Sequence, residues 1–190
     1  MSRKPTGIAL PRLAPFLAMW DYIVGVLDER LEGLTDEEYL WEPAPNVLTV
    51  RRDGGGSRPD AFGLPPTGEV EPPRTIAWLL GHLGGGMRLR ADYLVGTHRL
   101  TEADLPWPVS AAEGVAFMRE GLRAWRDGLD QMTDEDLDMV GRSAFPHGLD
   151  PTLPLIEIVW WVAKDLVFHA GEIWYVRDLY AAIGEASTAG

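Results

Sequence analysis

Residues 154–184, PLIEIVWWVAKDLVFHAGEIWYVRDLYAAIG, decide the fold. Ile158, Trp161, Val162, Leu166, His169, Ile173, Val176 and Tyr180 recur at steps of three and four, so they share one face of a long helix. Pro154 suits its first turn and Gly184 its end, which predicts a helix from about Pro154 to Ile183. Asp165 and His169 are four apart on that apolar face. A carboxylate there is costly unless it is paired or ligated.

The same periodicity finds partners upstream. Leu13, Phe16, Leu17, Trp20, Val24, Leu27 and Leu31 predict a first helix from about Leu13 to Leu31, followed by Gly33. Ile76, Leu79, Leu80, Leu83 and Met87 predict a second over about Thr75 to Val95. Gly84-Gly85-Gly86 interrupts it, at a cost of roughly 1 kcal/mol per glycine against alanine. Tertiary packing must hold this segment, and close approach of a neighbouring backbone or a ligand would explain it. Ser110 and Glu113 form a capping box that opens a third helix, with Val115, Met118, Leu122, Trp125, Leu129 and Met132 on its buried side.

Between the first two helices, Trp41 to Arg74 is rich in proline and glycine, which predicts a long loop with room for a small hairpin. Such a loop in a compact domain often forms a lid or a site wall. Thr35-Asp36-Glu37-Glu38 and Thr133-Asp134-Glu135-Asp136 echo one another. Each follows an amphipathic helix and precedes a loop leading to a helix with a histidine, His82 in one case and His169 in the other.

At 190 residues, with 46% hydrophobic and 24% charged side chains, the chain fits one domain with a sizeable core. There is no cysteine, which excludes disulfides, thiolate ligands and a cysteine nucleophile, and which fits a cytoplasmic protein. The net charge of −12 and the scatter of the basic residues, Arg51-Arg52 being only a pair, argue against a nucleic-acid partner. The N-terminus makes a poor signal peptide, and no apolar run approaches the ~20 residues that span a bilayer.

Four histidines exist, and His98 and His147 fall near helix ends or in loops. If the second and fourth helices are neighbours, His82 meets Asp165 and His169. Two imidazoles and a carboxylate make a first-row metal site with open positions. The alternative is an intrahelical Asp165–His169 pair beside a satisfied core histidine. Glu172 is either a group that orients a ligand or a solvated carboxylate. Arg177 would face the same cavity and bind an anion of a cofactor, or else pair with Asp178 or Glu172. Trp78 and Trp174 are pocket-lining candidates among mostly core tryptophans. No residue stands out as catalytic.

Three stretches resemble the DinB-like superfamily, which includes mycothiol-dependent maleylpyruvate isomerases and bacillithiol transferases. They are Leu31–Pro45, Thr75–Leu83 with His82, and Asp165–Ile173 followed by Leu179-Tyr180. The resemblance covers most of the chain. It implies an all-α, up-down-down-up four-helix bundle over residues 1–190, with loop 41–74, and a divalent metal, commonly zinc or nickel. The family usually offers His-x-x-x-His on its last helix, and the mycothiol-dependent isomerases Glu-x-x-x-His. Asp165 stands at that place here, one methylene shorter than glutamate.

The expectation is therefore a metal-dependent enzyme with His82, Asp165 and His169 as ligands. It would use a low-molecular-weight thiol such as mycothiol for S-transfer, isomerisation or detoxification of an electrophile. Hydrolysis by a metal-activated water is a variant. The alternatives are a non-catalytic ligand-binding or stress-response module and a purely structural dimer. Exposed apolar helix faces make a homodimer the expected assembly.

Overall fold

The computed structural model describes residues 11–61, 70–142 and 152–188, and His147 lies outside them. Five α-helices are described: α1 (Ala14–Arg30), the short α2 (Asp36–Tyr39), α3 (Ile76–Val95), α4 (Ala111–Leu129) and α5 (Leu155–Thr188). A two-stranded antiparallel hairpin, β1 (Val50–Asp53) and β2 (Gly56–Pro59), accompanies them. The chain is thus mainly helical with one small sheet, and the hairpin sits inside the expected loop. Gly54 and Gly55 turn it at φ 45° and 145°, a region that side chains disfavour.

Side-chain caps start the helices where the sequence placed them. Thr35 Oγ accepts from the Glu38 amide, and Thr75 Oγ from the Trp78 amide. At α4, Ser110 Oγ accepts from the Glu113 amide and donates to its carboxylate at 2.8 Å. The Thr133 echo also caps a turn: its Oγ accepts from the Asp136 amide ahead of the 3-10 segment Asp136–Asp138. Gly33, at φ 70°, follows α1.

One helix end departs from the expectation. Gly184 does not stop α5, which continues to Thr188. It is absent from the glycines with positive φ, so it stays in helical register. A glycine terminates a helix by turning left-handed; without that turn it only weakens the helix locally.

The helices pack mainly as two pairs, α3 with α4 and α1 with α5, and α3 also touches α5. The glycines explain how closely α3 and α4 meet. A Cβ on Gly121 would fall on the Gly84 carbonyl, and a Cβ on Gly84 would lie 2.9 Å from Met118 Cα. The glycine run therefore admits a neighbouring backbone, one of the two reasons the sequence offered. Gly81 is similarly required by the Trp107 ring. Around this crossing, Trp78, Leu79, Leu80, Leu83, Met118 and Trp125 form the buried centre. No helix among the described residues is long and apolar enough to cross a membrane.

Candidate metal centre

α3 and α5 bring the three expected ligands together. One donor atom each from His82, Asp165 and His169 lies within 4.8 Å of the others. His82 Nε2 is 3.6 Å from Asp165 Oδ2, and His169 Nε2 is 3.7 Å from Asp165 Oδ1. These separations exceed a good hydrogen bond. They run to different oxygens of one carboxylate and are of the size expected of donors around one ion, since atoms ~2.1 Å from a tetrahedral zinc stand about 3.4 Å apart. All three side chains are largely buried, with His169 the most enclosed.

Burial pushes the Asp165 carboxyl up, but the contact with His82 and the charges of His169, His82 and Lys164 outweigh it. The carboxyl is held below its usual range and is ionised at neutral pH.

A chain of contacts fixes the ligands from behind. His169 Nδ1 lies 2.6 Å from Glu172 Oε2. Burial raises the Glu172 carboxyl, while the bond and charge of His169 and those of Arg74 bring it below its ordinary value. An ionised carboxylate only accepts, so Nδ1 carries a proton, and Nε2 is the ring nitrogen that remains on Asp165's side. Glu172 also pairs with Arg74, whose other nitrogen donates to Glu71 at 2.6 Å. Glu172 thus takes the orienting role rather than the solvated one.

Aromatic rings complete the wall. Trp78 stacks on His82 with ring centroids 4.7 Å apart and a 7° tilt, and meets His169 edge-on. The Arg74 guanidinium covers the Trp78 ring at 5.3 Å, and the Trp78 indole N–H donates to the Ala61 carbonyl. Trp78 therefore joins the site to the middle of the loop between α2 and α3, at Ala61, and to its end, at Arg74. Trp174 is only partly buried, and its indole nitrogen has no hydrogen-bond partner.

Two arginines read differently from their sequence context. Arg177 is spent elsewhere: its guanidinium is bidentate to Glu38, at 2.7 and 3.0 Å, and donates to the Arg30 and Glu32 carbonyls. It ties α5 to the end of α1 and to α2. Its partner is Glu38, rather than Asp178 or Glu172. Arg90, which the sequence did not single out, is buried two turns beyond His82. It lies 5.1 Å from the Trp161 ring centroid, and its Nη2 has no hydrogen-bond partner among the described residues. Burial lowers its pKa to about 10, partly offset by the charge of Asp165. An arginine on a helix reads as a surface residue, so no sequence signal marks it. His98 stacks on Tyr93, away from the three donors.

No curated protein and no solved structure matches the chain. The family model of the DinB superfamily matches residues 21–173, a span that takes in His82, Asp165 and His169. With most of its length matched, the chain belongs to the DinB superfamily.

Proposed function

We propose that the chain is a DinB-type metal enzyme that activates a low-molecular-weight, mycothiol-like thiol for S-transfer, isomerisation or detoxification. The observation that carries this reading is the convergence of His82, Asp165 and His169 from two helices, with Glu172 behind His169. His82 and His169 offer imidazole nitrogens and Asp165 an anionic oxygen, a donor set suited to zinc or nickel. A divalent ion held there would supply Lewis acidity that lowers the pKa of a thiol bound to it. That chemistry suits a chain without cysteine, whose thiol must arrive with a small molecule.

The protein's own groups orient and shelter. Glu172 fixes the His169 tautomer, Arg74 holds Glu172, and Trp78 covers His82. From the loop, Arg74 lies over the Trp78 ring and the Ala61 carbonyl accepts from the Trp78 indole N–H. On this reading residues 1–190 are one up-down-down-up bundle working in the cytoplasm as a homodimer. Its partners are a thiol and an electrophile, without nucleic acid or membrane.

The test is metal analysis of untagged protein, followed by loss of free mycothiol in the presence of an electrophile. Stoichiometric zinc or nickel, lost in His169→Ala together with thiol consumption, supports the reading. A loaded protein that consumes no thiol is a binding module instead. A protein that takes up no divalent ion overturns the metal site.

A further inference from the structure

The side of α5 turned away from the metal donors carries a pattern of its own. Trp160, Phe168 and Tyr175 are 51%, 62% and 68% exposed on a helix whose inner face is core. With Gly171 and Ala182, also exposed, they fall on one stripe at steps of four and three. At about 100° per residue the stripe lies roughly 140° around the helix from His169. Three large exposed aromatics on one helix mark an interaction surface.

The order of residues on the stripe says what covers it. Positions 164 and 178 are equidistant from 171, and they hold Lys164 and Asp178. Trp160 and Ala182 are likewise equidistant, and Phe168 and Tyr175 flank the same centre. If two α5 helices run antiparallel across a two-fold axis at Gly171, each Lys164 faces an Asp178. Each Trp160 then faces a small Ala182, and each Phe168 comes within one residue of a Tyr175, three and four positions from the centre. Gly171 meets itself, and a Cβ built there meets nothing within the chain. A self-complementary surface of this kind is what a two-fold dimer requires.

Neither charge is withdrawn from the stripe. Lys164 lies against the Trp161 and Phe168 rings at 4.4 and 5.4 Å, and Asp178 pairs with Arg30 while its side chain stays 69% exposed. At the Trp160 end, a groove of about 340 Å³ between Phe16, Ile156, Glu157 and Trp160 opens beside the stripe.

We infer that this face of α5 binds a second copy of the chain, as an antiparallel two-fold dimer centred on Gly171. The absence of cysteine makes a clean test. Gly171→Cys introduces a single thiol that the two-fold axis places opposite itself. Under mild oxidation it gives a disulfide-linked dimer, while Glu120→Cys, on the exposed side of α4, stays uncrosslinked. In sedimentation velocity the wild type is dimeric, and Phe168→Glu/Tyr175→Glu shifts it to monomer with unchanged far-UV circular dichroism. Lys164→Asp weakens the dimer about tenfold or more by setting like charges opposite. The inference is overturned by a wild type that stays monomeric at high micromolar concentration. It is equally overturned by a dimer that survives the double glutamate variant, or one in which Gly171→Cys does not crosslink.

Discussion

Glu172 stands one helical turn beyond His169 and holds its Nδ1 at 2.6 Å. The carboxylate decides which ring nitrogen is left to coordinate. Glu172→Gln keeps the shape but not the charge, and Glu172→Ala removes both. Loss of such an orienting group lowers metal affinity by about 10–100-fold. Competition with a chromogenic chelator checks this, and the alanine variant is expected to be the weaker binder.

Metal removal has its own signature. A divalent ion at about 100 times its dissociation constant adds roughly 2.7 kcal/mol to folding stability. Chelation is therefore expected to lower the melting temperature of the wild type by several degrees. His169→Ala, which lacks a donor, is expected to melt at the same temperature with or without the chelator.

Arg90 places a positive charge within electrostatic reach of Asp165, and its Nη2 has no hydrogen-bond partner among the described residues. Removing that charge relieves repulsion toward an incoming dication. Arg90→Met is expected to tighten zinc or nickel binding several-fold by titration calorimetry, with little loss of stability, since methionine fills apolar space. Looser binding in this variant contradicts the electrostatic assignment.

The contact between α3 and α4 makes a paired prediction. Gly121→Ala drives a methyl group onto the Gly84 carbonyl and is expected to cost about 1–3 kcal/mol or more. Gly86→Ala meets nothing within 4 Å and is expected to stabilise α3 by up to about 1 kcal/mol. Urea denaturation of the two variants separates crowding from helix propensity.

Asp92 closes the loop after α3. It accepts from the amides of Thr97, Arg99 and Leu100 and from the Thr97 hydroxyl. Burial raises its carboxyl, but these bonds together outweigh that, so its pKa is depressed on folding. The stabilisation is full above the unfolded carboxylate pKa, about 3.9. It is lost as the pH falls through the lower folded value. Asp92→Asn is expected to cost about 1–2 kcal/mol at pH 7. The deficit should shrink below pH 4 in acid titrations followed by circular dichroism.

The sequence made the helices and their caps legible because apolar periodicity and Thr or Ser capping are local. The donor triad was legible for a related reason: four-residue spacing puts Asp165 and His169 on one helix face, and His82 lies beside the apolar stripe of a second helix, where it meets them if the two helices are neighbours. What local pattern could not supply was long-range partnership. Arg177 meets Glu38 across 139 positions, and Arg74 meets Glu172 across 98. Nothing near either arginine encodes its partner. Gly184 misled because the residue type permits a helix end but only the backbone angle makes one. The glycine run in α3 was recognised as needing a reason, and the reason lay in Gly121 on another helix.

The pairing of helices gives the triad a mechanical meaning. His82 is anchored in the half built from α3 and α4, where glycines lock two backbones together, while Asp165 and His169 ride on the half built from α5 and α1. A cation held between them would act as a rivet across the seam. Its loss would then leave one half freer to slide along the other, and faster amide exchange along the seam in chelated protein is the expected sign.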